Sequence, residues 1–100
     1  MSAPRPPALS DRLIPSEDAV FRELEGETVL LSLESGTYFG LNAVGTRIWN
    51  LIQDKGSLET VLAALRGEYD APPDVLKRDL LRLAAELCAK GLTRVDSAHA

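Results

Sequence analysis

The chain has 100 residues, of which 45% are hydrophobic and 26% charged, close to the values of an ordinary soluble domain. Eleven basic and fifteen acidic residues give a net charge of −4, whereas nucleic-acid-binding domains usually have a basic surplus that contacts phosphates. No apolar run approaches the roughly 20 residues that span a bilayer, and no secretory signal is visible at the start. We therefore expect one small cytoplasmic domain without a membrane segment.

Few side chains are suited to metal binding or nucleophilic chemistry. Cys88 is the only cysteine, and His99, the only histidine, is one residue from the C-terminus. A zinc site takes about three or four ligands, typically His and Cys, and a catalytic Ser–His or Cys–His pair needs its histidine on the rigid fold. The composition predicts a small acidic binding module with no catalytic residue, no cofactor and no metal.

Residues 1–16 hold four of the six prolines and few large apolar side chains. Such a segment has little surface to bury, so we expect it to be a flexible arm. The folded domain is then expected at residues 17–95 and a frayed tail at 96–100.

The pattern that follows the arm is that of three short strands, at residues 20–24, 28–33 and 37–41. Short turns containing Gly26 and Gly36 separate them. Parallel pairing needs a long crossover, so turns this short predict an antiparallel meander.

The apolar spacing then changes to that of helices. Asn42 and Ser57 are good N-caps for two helices. Pro73 suits the first turn of a third helix that runs to Lys90, with Gly91 as its stop. The predicted fold class is α+β, a three-stranded antiparallel sheet followed by a three-helix bundle, as in a winged-helix assembly.

The predicted third helix has an apolar sector about 200° wide, roughly twice what a surface helix needs to cover one core. One stripe holds Leu76, Leu80, Leu83 and Leu87, and the other holds Leu81, Ala84, Ala85 and Cys88. Either both stripes contact the core, or one of them lines a groove that a partner fills. Of the two stripes, we expect the one that begins at Leu76 to line such a groove.

Strand 37–41 is an outer strand of the meander, and it has no lysine, proline or inward-pointing charge that would protect its edge. An edge of this kind suits β-strand addition by a guest peptide, in which main-chain hydrogen bonds give affinity and apolar pockets give specificity. The alternative is an edge covered by a loop or by a second copy of the chain.

The run LESGTYFGLNAVGTRIW at residues 33–49, with EYDAPP at 68–73 and KGL at 90–92, resembles the PqqD family, also called the RiPP recognition element. The resemblance covers about residues 18–95. Its YFGLN part is more similar to the stand-alone leader-binding proteins of lasso-peptide clusters than to members that serve pyrroloquinoline quinone biosynthesis.

The resemblance implies a three-stranded sheet with a three-helix bundle that binds the leader segment of a ribosomally made precursor peptide. The leader would lie as an added strand beside the third strand and against the third helix. The module would present it to a modifying enzyme such as a radical enzyme, a protease or a cyclase. Self-association stays open.

Our interpretation is therefore a non-catalytic leader-peptide-binding protein that binds neither nucleic acid nor membrane. The alternative is a winged-helix DNA-binding regulator, which the acidic charge and the lack of a basic recognition helix disfavour. The expected peptide contacts are Thr37, Tyr38, Phe39, Gly40 and Leu41 on the strand, and Leu76, Lys77, Arg78, Leu80, Arg82, Leu83 and Leu87 on the helix.

Overall fold

A computed structural model describes residues 6–96, which form five strands and three helices. The strands are β1 (Arg12–Pro15), β2 (Ala19–Leu24), β3 (Glu27–Ser32), β4 (Tyr38–Leu41) and β5 (Thr93–Asp96), and the helices are α1 (Ala43–Lys55), α2 (Leu58–Glu68) and α3 (Pro73–Ala89). The strands β2, β3 and β4 form an antiparallel sheet that precedes the three helices. The predicted α+β class is confirmed.

The register of the three-stranded sheet is set at its first turn. Leu24 pairs with Glu27, which leaves Glu25 and Gly26 as a two-residue turn with φ of 55° and 83°. A positive φ at both central residues matches the right-handed twist of the flanking strands. Beyond this turn, the alternate residues of β3 that face the helices are buried: Thr28, Leu30 and Ser32.

The helix boundaries agree with the capping residues read from the sequence. The side chain of Asn42 accepts a hydrogen bond from the backbone N–H of Gly45 at 2.8 Å, and Ser57 caps α2 in the same way. Pro73 occupies the first turn of α3, where a missing N–H costs nothing. Gly91, with φ of 73°, lies just beyond the C-terminal end of α3.

The core lies between the helix side of the sheet and the three helices. Trp49 of α1 is fully buried, and the ring of Phe21 in β2 meets it edge-on with 5.7 Å between centroids. At the surface, the guanidinium of Arg47 donates two hydrogen bonds to the carboxylate of Glu68, at 2.8 and 2.6 Å, and so joins α1 to α2. These contacts make α1 the element on which both the sheet and α2 are anchored.

The prediction of a flexible arm is wrong for residues 12–15, which form β1 and pair antiparallel with β5. Leu13 is 1% exposed and belongs to the core, and Pro7 is buried as well. The pairing strand lies at the other end of the domain, so local composition could not reveal it.

Backbone hydrogen bonds attach the same segment to the connection between α1 and α2. The N–H of Leu13 donates to the carbonyl of Gly56 at 2.9 Å, and the N–H of Leu58 donates to the carbonyl of Asp11 at 3.1 Å. The predicted tail is wrong for Asp96, which lies in β5 and pairs with Arg12. Residues 1–5 of the predicted arm and 97–100 of the predicted tail lie outside the described residues.

Candidate functional site

The strand β4 is an edge of the three-stranded sheet, and within residues 6–96 no further strand pairs with its outer side. The N–H of Ser32 donates to the carbonyl of Thr37 at 2.9 Å. Ser32 and Thr37 are thus a hydrogen-bonded pair, and such pairs alternate with non-hydrogen-bonded pairs along an antiparallel ladder. The non-hydrogen-bonded pairs are then Leu31 with Tyr38 and Val29 with Gly40. The N–H and C=O groups of Tyr38 and Gly40 therefore point away from β3, toward the open edge.

The side chains of β4 alternate between two surfaces. Phe39 and Leu41 face the helices, with Phe39 half-buried and Leu41 buried, whereas Tyr38 and Gly40 face the outer side of the sheet. Thr37 precedes the strand and belongs to its turn, where its N–H donates to the hydroxyl of Ser35 at 3.3 Å. Of the five predicted strand residues, four form β4 and two point their side chains toward the helices.

A groove of about 300 Å³ lies between the helix side of β4, the start of α1 and α3. This volume is at the small end of the range for ligand pockets, about 300–1,000 Å³. The apolar side chains that line the groove are Phe39, Leu41, Val44, Ile48 and Leu83. Its polar rim is formed by three residues on one side of α3: Asp79, Arg82 and Glu86.

The charges around this groove nearly balance. Nη2 of Arg82 lies 3.4 Å from Oδ1 of Asp79, and Glu86 adds a second carboxylate. Nζ of Lys90 lies 5.4 Å from the centroid of the Phe39 ring, within cation–π range. Two acidic and two basic groups thus surround an apolar floor, so the groove has no strong preference for a charged guest.

The expectation that the Leu76 stripe lines the groove is wrong for most of its members. Leu76, Leu80 and Leu87 are 6%, 0% and 0% exposed and belong to the core, whereas Leu83 is half-buried and lines the groove. Ala84 of the other stripe is also fully buried. Because α3 packs against both α2 and β5, both stripes are used for the core.

The predicted basic contacts are only partly brought together. Arg82 lines the groove, but Lys77 and Arg78 are exposed and lie outside it, and Nε of Arg78 lies 3.8 Å from Oδ1 of Asp79. The reason is helical geometry. Lys77 and Arg78 lie on a different side of α3 from Leu83 at about 100° per residue.

The residues that α1 contributes to the groove, and Asp79 and Glu86 of α3, are not among those predicted from the sequence. Val44 and Ile48 lie in the first turns of a helix that begins two residues after β4, so they must lie close to the end of that strand. Asp79 and Glu86 are seven residues apart and flank Leu83 on one side of the helix. That spacing could have indicated the rim of a groove, but polar residues on one side of a helix are equally typical of a surface exposed to solvent.

Cys88 lies on α3 outside the groove, with its Sγ 3.3 Å from Oγ1 of Thr93 in β5. Burial raises the pKa of this thiol, against a smaller opposing effect of the hydrogen bond to Thr93. A protonated thiol is a poor nucleophile. Among residues 6–96, no group of three or more His, Cys, Asp or Glu side chains could hold a metal ion, and no helix is long and apolar enough to cross a membrane.

The profile of the family described as Coenzyme PQQ synthesis protein D (PqqD) matches residues 27–92, well over half of the chain. The chain belongs to the PqqD family. This confirms the family resemblance seen in the sequence, and the matched segment runs from β3 to just beyond α3, so it includes every residue that lines the groove.

Two solved structures are similar to this PqqD-family chain. The structure of TbiB1 in complex with the TbiA(beta) leader peptide has 38% identity and a TM-score of 0.75, covering 80% of this chain and 93% of that one. The structure of lasso peptide synthetase B1 complexed with the leader peptide has the same fold, with 24% identity and a TM-score of 0.74 over 83% and 98% of the two chains. Comparison with curated proteins gives no match.

Proposed function

We propose that this chain binds the leader segment of a ribosomally made precursor peptide by β-strand addition at the edge of β4. The observation that carries the proposal is the free, uncharged edge of β4, which opens onto a groove with an apolar floor. The 38% identity to TbiB1, whose structure contains a leader peptide, supports the same function.

The two sides of the guest strand have different tasks in this arrangement. Its backbone pairs with the outward N–H and C=O groups of Tyr38 and Gly40, and this part of the affinity does not depend on the guest sequence. Its alternate side chains point toward the helices and enter the groove beside Phe39 and Leu83, where apolar side chains fit best. The guest is therefore an extended segment with apolar residues at alternate positions.

The opposite edge of the sheet is less suited to a guest. Glu23 of β2 faces the helices, and its carboxylate accepts a hydrogen bond from the side chain of Asn50 at 3.3 Å. An inward-pointing charge on an edge strand is a device that discourages further strand pairing. The choice between the two edges thus favours β4.

In this proposal the chain is a non-catalytic carrier that presents the leader to a modifying enzyme such as a radical enzyme, a protease or a cyclase. The encounter takes place in the cytoplasm, where precursor peptides are synthesised. DNA binding has no support in the groove, since Arg82 is paired with Asp79 and the charges around it nearly cancel.

The test compares two substitutions at Gly40, where an added Cβ would meet nothing within 4 Å. Gly40→Pro removes the outward N–H, while Gly40→Ala keeps it. We expect proline to weaken binding of a synthetic leader peptide at least tenfold, from the lost main-chain bond and the blocked strand approach. Alanine should leave the affinity within about twofold.

Calorimetric titration gives the affinities, and thermal melts verify that both variants fold. Equal leader binding by the two folded variants would contradict strand addition at β4. Tight, salt-sensitive binding of duplex DNA would instead favour the regulator alternative.

A further inference from the structure

The side of the three-stranded sheet that faces away from the helices is an exposed apolar surface. We call it the outer face, formed by Val20 and Leu24 of β2, Val29 and Leu31 of β3, Leu33 just beyond β3, and Tyr38 of β4. Leu24 and Tyr38 are 67% and 69% exposed. The exposed area of these side chains is on the order of 500 Å², as large as the largest apolar patch of a typical soluble monomer.

This outer face is concave, and its concavity meets the groove only at Gly40, Leu41 and Asn42, at the end of β4. Its concavity has a volume of about 840 Å³, against about 300 Å³ for the groove, and the strand β4 lies between the two. The side chains of the outer face do not pack in the core, because the residues of β3 that do so point to the opposite side of the sheet. The outer face is therefore an apolar surface that folding alone does not explain.

The outer face is continuous with the edge where the leader is proposed to bind. A strand added beside β4 would extend the sheet, so its alternate side chains would lie next to Tyr38 on the outer face. A protein on this surface would contact the module and the bound peptide together. It would thus distinguish the loaded module from the empty one.

Charge narrows the choice of occupant. Glu25 and Glu27 lie at the turn end of the concavity, and its single basic lining residue, Arg22, lies between Val20 and Leu24 on β2. Two copies of the chain placed face to face would bring these acidic borders together, and each copy already has a net charge of −4. A partner with basic side chains around an apolar ridge is electrostatically complementary.

We propose that the outer face is the docking surface for the enzyme that acts on the leader-bound precursor, and that this enzyme contributes an apolar ridge bordered by Lys or Arg. The inference rests on the proposed leader binding, because its advantage is simultaneous contact with the module and the guest strand. The peptide would then bind at the edge of the sheet, beside β4, and the enzyme would bind on its outer face.

The experiment uses the purified chain, a synthetic leader peptide and a purified protease or cyclase that acts on the precursor carrying that leader. Leu24→Glu and Val29→Glu place a charge on the outer face, Glu27→Lys reverses its border, and Ala63→Glu puts the same charge on the exposed surface of α2 as a matched control. Leader affinity, enzyme affinity with and without leader, and sedimentation are measured for each folded variant.

We expect both outer-face glutamate variants to lose at least tenfold in enzyme affinity while leader affinity stays within about twofold. Glu27→Lys should lower the association rate with the enzyme and reduce its salt dependence, and Ala63→Glu should behave as the unmodified chain. Enzyme binding that is unchanged in Leu24→Glu and Val29→Glu, or absent in the unmodified chain, would overturn the proposal.

A dimer of the unmodified chain that the outer-face variants dissociate would also overturn it, by assigning the surface to a second copy. Loss of leader binding alone would count against the proposed function and not against the docking surface, because enzyme affinity is also measured without the leader.

Discussion

Replacing Leu13 with alanine tests whether the N-terminal segment is part of the fold. Leu13 is 1% exposed, its N–H donates to the carbonyl of Gly56, and it pairs with Val95 in β5. Alanine keeps both the backbone bond and the strand but removes the buried side chain. The substitution therefore isolates the packing of one residue from the rest of the segment.

The magnitude follows from this burial. A fully buried leucine replaced by alanine typically costs about 2–5 kcal/mol, the range reflecting how far the cavity collapses. A domain of this size has a total stability of about 5–15 kcal/mol, and each kcal/mol shifts the melting temperature by about 4–8 °C. Leu13→Ala should therefore lower Tm by roughly 8–40 °C, whereas a flexible arm would give no measurable change.

Thermal melts followed by circular dichroism measure the effect, with Leu24→Ala as the matched control. Leu24 is 67% exposed, so the same substitution there should change stability by less than about 0.5 kcal/mol. If the two variants melt within 3 °C of each other, roughly half a kcal/mol, the assignment of residues 12–15 to the folded domain is wrong.

Three further predictions concern α3, the groove and the surface. Leu80→Ala should destabilise the fold by about 2–5 kcal/mol without changing the leader affinity of the folded fraction. Leu83→Ala should cost only about 1 kcal/mol of stability but weaken leader binding about 5–20-fold. Thermal melts and titration calorimetry measure the two effects, and the reverse pattern would show that Leu80, not Leu83, lines the groove. Leader affinity should vary by less than about threefold between 50 and 500 mM salt, because the charges around the groove nearly cancel; a steep salt slope in a titration series would contradict this. The hydrogen bond from Arg47 lowers the pKa of Glu68 from 4.5, so the stability from this pair is present above pH 4.5 and is lost as the pH falls through the lowered value. The Tm difference between the unmodified chain and Glu68→Gln should therefore narrow on acidification from pH 7 to 3, and a gap that widens would refute the assignment.

The order of elements was predictable because each boundary has a local chemical cause. Asn42, Ser57, Pro73 and Gly91 act through hydrogen bonds and backbone angles within a few residues of themselves, so they mark helix ends wherever the helices pack. The pairing of β1 with β5 has no local cause. It depends on contacts between the two ends of the domain, and a short segment with several prolines is typical of a linker as well as of an edge strand.

The edge strand of the candidate site was predictable and its helical wall was not. The residues 38–41 lie at an edge because short turns force a meander and its last strand has no further partner in the described part of the chain. The spacing of residues at about 100° around α3 gives only the width of its apolar sector. It does not show which part of that sector packs against β5 and which part packs against α2. Leu80 and Leu83 illustrate this, since both lie in one stripe but only Leu83 borders the groove.

The shortness of β4 sets how affinity must be divided between the backbone and the groove. Tyr38 and Gly40 offer two N–H donors and two C=O acceptors to a guest, and a hydrogen bond contributes a net of about 0.5–1.5 kcal/mol. Four such bonds give roughly 2–6 kcal/mol, whereas micromolar affinity needs about 8 kcal/mol after the entropy of ordering the guest is included. Main-chain pairing alone therefore cannot hold a leader peptide at micromolar concentration. The apolar floor formed by Phe39 and Leu83 must contribute a comparable share, which is why the choice of guest depends on its side chains as well as on its backbone.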